Sequence, residues 1–299
     1  MRVLGFGDNI VDRFVDRGID YPGGNSVNVA VYADRLGVEA AYLGVFGDDE
    51  LGGFLRASIA AQGVSVGRCA VRRGETGVST LRVDHGDRIF LGWNGGGVTV
   101  RQPLVLDGEL LDYASSFDLV HSSVYSRSES ELPKLRTLVS FDLSSEEEYR
   151  RPSYLDSVCP HADLVLLSCS HLDEAATRAL LAEAVRRGAG LALATRGVEG
   201  AIAHDGRSTV AAPARPVEQD KVVDTMGCGD AFLAGFAVSL LRGGWSAGAR
   251  PSTSLIERAL HDGADSAYEQ CFVEGAFGHG RPADRPALAS MWPGSEREK

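Results

Sequence analysis

Lysine is scarce in this chain, and none of its lysines lies in a phosphate-binding loop. Lysines occur only at positions 134, 221 and 299, and no G-x-x-x-x-G-K-[ST] motif is present. Because that motif needs a lysine directly after its glycine loop, P-loop phosphoryl transfer is excluded. The H-R-D and D-F-G motifs are missing as well, which excludes a protein kinase.

Long hydrophobic runs and close cysteine pairs are also missing. No uninterrupted apolar stretch approaches the roughly 20 residues that a membrane span requires. The five cysteines are scattered without a C-x-x-C pair, so neither a zinc site nor a disulfide framework is indicated. Buried thiols in a reducing compartment are the simplest interpretation. The N-terminus reaches Asp8 too early for a signal peptide, and we therefore expect a cytoplasmic protein.

Positive charge is in the minority. The chain has 30 basic and 41 acidic residues, a net charge of -11, and a pI of about 5.1. Nucleic acids and anionic membranes bind basic patches, so we expect neither as a partner. The 44% hydrophobic and 24% charged residues are typical of a globular protein, and 299 residues suffice for one large domain with or without an insert.

The most informative stretch lies between Val222 and Leu241. Its first part ends in Gly227-Cys228-Gly229-Asp230, and an apolar run without proline follows that is long enough for a buried helix. Asp230 therefore stands at the start of a helix, where Asp is a favoured cap. Gly227 and Gly229 allow a sharp turn and leave backbone N–H groups uncovered. Such a helix start is an anion site.

A carboxylate beside an anion site suits phosphoryl transfer. Asp230 would weaken a site that only held an anion, whereas in phosphoryl transfer it can take the proton from an attacking hydroxyl. The amides of Gly227, Cys228 and Gly229 would hold the charge that grows on the transferred phosphate. Taken alone, the motif is equally compatible with a helix cap followed by a core helix.

A second constellation follows Tyr21. Two glycines precede Asn25 and Asn28, which are three residues apart and can project from one face of the first turn of a helix. Two amide side chains offer both donors and acceptors to a polyol. Gly24 would let a ligand approach the backbone. The structural alternative is an Asn-capped helix after a glycine turn.

The rest of the chain alternates between strand-like and helix-like segments. Buried strands are predicted at 2–7, 117–121, 137–142 and 162–167, and this alternation predicts a parallel sheet with helices on both faces. Ligands of such sheets bind at the carboxyl ends of the strands, where Asp142 and the segment 168–174 fall. Two separate helices are predicted near the end, at 255–260 and 264–271.

A small second sheet is predicted from three alternating segments. The segments 78–84 and 88–93 flank a turn at His85-Gly86-Asp87 and predict a β-hairpin. Residues 10–15 alternate in the same way. Together they would form a sheet apart from the main one.

Several of these motifs resemble those of the ribokinase-like (PfkB) carbohydrate kinases. Asp224-Thr225-Met226-Gly227-Cys228-Gly229-Asp230 is similar to the D-T-x-G-A-G-D signature, with Cys228 in the usual place of Ala. Gly23–Ala30 is similar to the family's sugar loop, and Thr195–Gly200 to its T-x-G-x-x-G nucleotide loop. The resemblance implies a three-layer, doubly wound, mostly parallel α/β core with a small β-sheet lid. It implies a core of residues 1–9, 22–75 and 96–285, a lid of 10–21 and 76–95, and a frayed tail of 286–299.

The resemblance also implies residue roles. Asp230 would be the general base beside the amides of Gly227, Cys228 and Gly229. The sugar would be held by Asp8, Asp12, Gly24, Asn25 and Asn28; ATP by Thr195, Gly197, Gly200, Asp224 and Thr225; and Mg²⁺, through water, by Glu174. His171 stands where the family has Asn, so direct phosphate contact is not expected there. A monovalent cation such as K⁺ would bind near Gly275–Gly278.

The implied activity is ATP-dependent phosphorylation of a primary hydroxyl on a sugar or sugar derivative. Within the family, the motifs look most like the branch that acts on fructoselysine, with fructose and ribose as the next candidates. A nucleoside kinase of the same fold is an alternative, because Phe90 and Trp93 could stack on a base. A non-catalytic sugar or nucleotide sensor is another. The resemblance also implies a homodimer that pairs through the lid.

Overall fold

Two β-sheets of unequal size organise the chain. The computed structural model describes residues 1–84 and 87–283, so His85, Gly86 and the predicted tail at 286–299 lie outside the described residues. The strands are β1 (Arg2–Gly7), β2 (Ile10–Phe14), β3 (Ile19–Gly23), β4 (Glu39–Gly47), β5 (Ala70–Arg72), β6 (Val78–Asp84), β7 (Asp87–Trp93), β8 (Leu119–Ser123), β9 (Leu138–Asp142), β10 (Leu164–Ser168), β11 (Leu191–Thr195), β12 (Ala201–His204), β13 (Thr209–Ala212) and β14 (Arg281–Pro282). The α-helices are α1 (Asn25–Arg35), α2 (Glu50–Ala61), α3 (Gly97–Arg101), α4 (Gly108–Ser115), α5 (Pro152–Val158), α6 (Glu174–Arg186), α7 (Cys228–Arg242) and α8 (Thr253–Gln270).

The large sheet is mostly parallel and doubly wound, which confirms the predicted fold class. Its strand order is β13-β12-β11-β10-β9-β8-β1-β4-β5, and among the described strands its antiparallel pairs are β11–β12 and β12–β13. The chain starts at β1, adds β4 and β5 on one side, and then crosses back to β8 on the other. The order therefore reverses between β1 and β8, and in open α/β sheets ligands bind at such a reversal.

Alternate side chains of the large sheet enter separate cores. Val3 and Leu119 join the apolar residues of α1, α7 and α8, whereas Leu4 and Val120 pack on the opposite face with Ala114 of α4. The strands β9 and β10 meet α5 and α6 on that opposite face. Helices thus cover both faces of the sheet, and the core has three layers.

The small sheet has the order β14-β3-β2-β6-β7. A bidentate ion pair fixes its β2–β3 hairpin: Arg13 Nε and Nη2 each donate to the buried carboxylate of Asp20 at 2.7 Å. The predicted boundaries put residue 281 in the core, but Arg281–Pro282 pairs with β3 as an edge strand of the small sheet.

The prediction of two separate helices near the end is wrong, because α8 is continuous from Thr253 to Gln270. Its Gly263 does not break the helix. A Cβ at Gly263 would lie 2.8 Å from the ring of Phe232, and a Cβ at Gly235 would lie 2.3 Å from Ser266 Oγ. Both glycines therefore allow α7 and α8 to pack closely.

Candidate active site

Two asparagines of α1 join the carboxyl edge of the large sheet to the start of α7. Asn25 Nδ2 donates to Asp142 Oδ2 at 2.5 Å, and Asp142 is the last residue of β9. One turn later, Asn28 Nδ2 donates to Asp230 Oδ2 at 2.8 Å. The structure thus brings one predicted sugar-binding asparagine, Asn28, to the predicted base, and the other, Asn25, to Asp142.

Gly24 is needed where the chain enters α1. Its φ is 118°, and a Cβ there would lie 2.7 Å from the Cα of Asn9 and 2.9 Å from the carbonyl oxygen of Asp8. An L-residue would be strained in this conformation and would clash with the backbone after β1. The glycine therefore lets α1 begin directly against the end of the first strand.

Asp8 is bound into the scaffold through one oxygen. Its Oδ1 accepts hydrogen bonds from the Ser26 amide at 3.2 Å and from the hydroxyls of Ser26, Ser123 and Ser126 at 2.6, 2.9 and 2.8 Å. These donors lie in α1, at the end of β8 and in the 3-10 turn that follows β8. The predicted sugar contact of Asp8 is therefore restricted to Oδ2, because Oδ1 ties β1 to its neighbours.

Asp12 brings a carboxylate from the small sheet. It lies on β2 and is buried, and a Cβ at Gly23 would come within 2.5 Å of its Oδ2. Its negative charge is one of those that raise the pKa of Asp230. The lid thus faces the core aspartates with a carboxylate of its own.

Burial governs the ionisation of the core carboxylates. Asp230 is buried, and this raises its pKa well above the ordinary range; the charges of Asp142, Asp8 and Asp12 act in the same direction, and the Asn28 hydrogen bond opposes them. Burial also raises the pKa of Asp142 to about 6. A carboxylate with a raised pKa accepts a proton from a hydroxyl more readily.

The loop before α7 differs in one respect from the predicted anion site. Gly227 caps the helix with φ of 75°, and among the described residues no backbone carbonyl accepts the amide of Gly227 or Gly229. The Cys228 amide, predicted to be uncovered, donates to the Thr225 carbonyl at 3.3 Å. A Cβ at Gly229 would meet nothing within 4 Å. Space for a ligand therefore exists in front of Gly229.

Asp224 is hydrogen-bonded within this loop. Its Oδ1 accepts from the amide of Met226 at 3.0 Å and its Oδ2 from the amide of Gly275 at 3.1 Å. The buried Gln270 side chain joins the same two segments, since its Nε2 donates to the carbonyls of Met226 and Gly275 at 2.9 and 2.8 Å. The sequence motif predicts Asp224 and Thr225 as nucleotide contacts, and each carboxylate oxygen of Asp224 accepts a hydrogen bond from a backbone amide.

The Tyr32 hydroxyl packs against Gly227 of the predicted anion loop. The hydroxyl donates to the carbonyl of Ala276, and a Cβ at Gly227 would lie 2.2 Å from that hydroxyl. Burial raises the pKa of Tyr32 well above its ordinary value, and the Asp230 charge adds to this. Sequence reasoning missed Tyr32 and Gln270, because neither stands within a recognisable motif.

The two glycines of the predicted nucleotide loop differ in the space around their Cα atoms: Gly197 has room for a side chain and Gly200 has none. Gly197 has φ of 59°, and its nearest neighbour would be Ser170 Cβ at 3.7 Å from an added Cβ. A Cβ at Gly200 would lie 2.1 Å from the Ala212 carbonyl oxygen, so the adjacent strand explains this glycine. Thr195 ends β11 at the same edge of the sheet as Asp142. Thr195 and Gly197 are therefore the better placed of the predicted nucleotide contacts.

The predicted metal residue, Glu174, faces guanidinium groups. It begins α6, its Oε1 accepts from Arg178 Nε at 2.8 Å, and its Oε2 lies 4.0 Å from Arg196 Nη1. Among residues 1–84 and 87–283, no three His, Cys, Asp or Glu side chains are grouped to hold a metal ion. His171 is exposed, and its Nε2 lies 2.9 Å from Arg150 Nη1. A metal ion at Glu174 would need most of its ligands from elsewhere.

Sequence comparison decides the family. Residues 15–255 match the pfkB family of carbohydrate kinases. The chain belongs to this family. Fructosamine kinase FrlD of Bacillus subtilis (strain 168) is 38% identical over 285 residues, which cover 94% of this chain and 95% of that protein. Fructoselysine 6-kinase of Escherichia coli (strain K12) is 33% identical over 274 residues, which cover 91% and 97%. This pfkB kinase is thus an enzyme, and its predicted family is confirmed.

Solved structures of sugar kinases share its fold. Fructokinase from Xylella fastidiosa with bound ATP matches at a TM-score of 0.71 and 20% identity, over 93% of this chain and 95% of that one. Ribokinase from Thermotoga maritima matches at a TM-score of 0.68 and 17% identity, over 94% and 96%. The fold is therefore ribokinase-like. Within the described residues, no helix combines the length and apolarity that crossing a bilayer requires.

Proposed function

We propose that this pfkB kinase phosphorylates a primary hydroxyl of a fructosamine, a fructose unit carried on an amine, with ATP as the phosphoryl donor. The observation that carries the proposal is the Asn28–Asp230 hydrogen bond of 2.8 Å. It joins a polyol-binding amide to a buried carboxylate at the start of α7, beside amides suited to phosphate. The names of the two relatives support the fructosamine substrate class.

In the proposed mechanism, Asp230 takes the proton of the attacking hydroxyl. Its raised pKa favours this transfer, and Asn28 holds the carboxylate in place through Oδ2. The amides of Gly227 and Gly229 stabilise the charge on the transferred phosphoryl group. The Cys228 amide can add to them only by giving up its long bond to Thr225. Asp12, Gly24 and Asn25 place the sugar.

The buried carboxylates suit a substrate that carries positive charge. A fructosamine has a secondary ammonium group next to the sugar, whereas free fructose has none. Asp142 is buried beside Asn25, and its charge together with those of Asp8 and Asp12 makes the pocket strongly acidic. A cation that enters this cluster relieves its repulsion. We therefore expect Asp142 to favour the ammonium form of the substrate.

The two proposed metal ions fit unequally. Mg²⁺ prefers oxygen ligands and keeps several waters, so Glu174 would hold it through water, and the ion would neutralise charge on the nucleotide phosphates. At Gly275–Gly278, the carbonyls of Gly275 and Ala276 already accept hydrogen bonds from Gln270 and Tyr32. A K⁺ ion would compete with these donors, so the loop does not fit it well. The proposed chemistry does not depend on K⁺.

A second copy of the chain is the proposed partner of the small sheet. The edge strand β7 exposes Phe90 and Trp93, with 60% and 49% of their surface accessible, and Leu91 with 37%. Edge strands with exposed apolar side chains need cover, and pairing of two lids would provide it.

Formation of ADP with a panel of acceptors tests the proposed function. Fructoselysine should give a kcat/KM roughly 10- to 100-fold above that of fructose, because a charge-assisted hydrogen bond contributes about 1.5–3 kcal/mol. Ribose and adenosine should be poorer still. Preference for adenosine would favour the nucleoside kinase alternative. Nucleotide binding without ADP formation from any acceptor would favour a sensor.

A further inference from the structure

Two cysteines far apart in the sequence meet beside the anion loop. Cys228 begins α7 and Cys271 follows α8, and their Sγ atoms are 3.7 Å apart without a disulfide between them. Both side chains are half-buried. Cys228 also stands where the signature of related kinases has Ala, a residue that could not form a bridge.

The backbone holds the two thiols together. The carbonyl of Cys271 accepts hydrogen bonds from the amides of Val223 and Asp224 at 2.8 and 3.3 Å, on the segment that leads into the anion loop. The Cys271 thiol itself lies 3.4 Å from the Ala267 carbonyl. The sulfur contact is therefore part of a packed junction between the anion loop and the end of α8.

We propose that Cys228 and Cys271 form a reversible disulfide that switches the kinase off when a hydroperoxide is present. One thiol loses its proton and attacks hydrogen peroxide; the O–O bond breaks, the sulfur becomes a sulfenic acid, and the released hydroxide takes up the proton and leaves as the first water. The second thiol then displaces the sulfenic oxygen as another water, and the S–S bond forms. The two sulfurs lose two electrons in total and the peroxide gains them. A dithiol reverses the step by thiol–disulfide exchange.

The bond would displace the groups that hold phosphate. A disulfide needs an S–S distance of about 2.0 Å, so the sulfurs must approach from 3.7 Å. Cys228 is in the first turn of α7, between Gly227 and Gly229, whose amides form the proposed anion site. The bridge therefore pulls this turn towards α8 and fixes it there. The effect on activity rests on the proposed function, whereas bridge formation does not.

The test follows the thiols by mass and the activity by ADP formation. Reduced protein treated with hydrogen peroxide should lose about two hydrogens in mass and yield a peptide pair that links Cys228 to Cys271. Turnover with fructoselysine should fall roughly 10²-fold, as when one anion-hole donor is lost, and should return with dithiothreitol.

Two variants make the result specific. Cys271→Ala should keep its basal turnover and resist the oxidant. Cys69→Ala is the matched control: Cys69 is also half-buried, but burial raises the pKa of its thiol to about 12, so this variant should remain as sensitive as the unchanged protein.

Three results would overturn the switch. They are oxidised protein without the linked peptide pair, a bridge that leaves turnover unchanged, and a Cys271→Ala variant that is inactivated as fully as the parent. If the chain turned over no acceptor at all, the proposed function would fail, and peptide mapping would still decide whether the bridge forms.

Discussion

Asp142 and Asp230 each accept a hydrogen bond from an asparagine of α1, and these two asparagines, Asn25 and Asn28, lie one turn apart. Both are buried, and burial raises the pKa of each; the charge of Asp8 raises both pKa values further, and the charge of Asp142 adds to the rise at Asp230. Such a cluster costs native stability at neutral pH, because burial and like charge disfavour the ionised carboxylates. This loss of stability arises at the proposed active site.

The cost of Asp142 should be visible in the pH dependence of stability. Its pKa rises from 3.8 to about 6 on folding. The protonated side chain therefore contributes its whole stabilising free energy below pH 3.8, and this stabilisation is lost as the pH rises to about 6. The loss is about 3 kcal/mol. Asp142→Asn removes it. The variant should therefore gain stability relative to the unchanged protein as the pH rises from about 4 to 7.5.

Urea unfolding of both proteins across this range measures the difference. Asn loses part of the hydrogen bonding of Asp142 to Asn25 and Ser144, which shifts the difference by a constant of about 1 kcal/mol and leaves its pH dependence. Asp112→Asn, on the exposed side of α4, is the control without a pH-dependent gain. A difference between Asp142→Asn and its parent that stays flat with pH would contradict this account.

Local motifs explain which site residues the sequence could reveal. Asp230 and Asn28 each stand in a short pattern whose glycines and spacing predict a helix start, and both lie at the site. The Asn25–Asp142 pair could not be predicted, because it joins residues 117 positions apart across the reversal of strand order. The contact between Cys228 and Cys271 could not be predicted either, because these residues are 43 positions apart in the sequence.

At the scale of single elements, the two glycines at the start of α7, Gly227 and Gly229, have different structural roles. Gly227 needs its positive φ and has Tyr32 directly behind it, whereas Gly229 has helical geometry and open space in front of it. The first glycine is required by the fold. The second is required only if a ligand occupies that space.

Paired alanine substitutions test this distinction. Gly229→Ala should keep or raise thermal stability by up to about 1 kcal/mol, since Ala is the better helix former. It should also raise the KM for ATP or lower kcat, because its methyl group enters the proposed phosphate site. Gly227→Ala should lose about 1–3 kcal/mol of stability through backbone strain.

Thermal unfolding and steady-state kinetics on the two variants give the answer. Full activity in a stable Gly229→Ala protein would show that no phosphate approaches this turn. Equal losses of stability in both variants would show that the open space in front of Gly229 does not exist.

Element boundaries show where sequence patterns stop being informative. Gly263 lies between two predicted helices, yet it belongs to the interior of α8, where it makes room for Phe232. A sequence cannot distinguish a glycine that ends a helix from one that lets two helices approach. Likewise, β14 consists of two residues whose pairing with β3 depends entirely on where the chain returns.

At the scale of the whole molecule, the small sheet has an edge strand, β7, with the exposed apolar side chains Phe90, Leu91 and Trp93. Asp12 lies on β2 and the exposed Phe90 on the edge strand β7, with β6 between them, so the small sheet connects Asp12 to the edge proposed for a second copy. Dimerisation through β7 would fix the lid from which Asp12 faces the core aspartates.

Sedimentation analysis tests the dimer. The unchanged protein should have twice the 31.8 kDa mass of one chain, and Phe90→Asp should sediment as a monomer, because a charge on the edge strand opposes pairing. Val71→Asp is the matched control, since Val71 is 52% exposed but lies on β5 of the large sheet. A monomeric unchanged protein, or equal dissociation in both variants, would contradict pairing through β7.

The turnover of Asp230→Asn with fructoselysine and ATP tests directly whether Asp230 is the base. Asn keeps the size of Asp and an oxygen that can accept from Asn28, but it cannot take a proton from the substrate hydroxyl. We predict that kcat falls roughly 10²–10⁴-fold while calorimetric binding of ATP stays close to that of the unchanged protein. Turnover that remains near the unchanged level would contradict the role of Asp230 as the base.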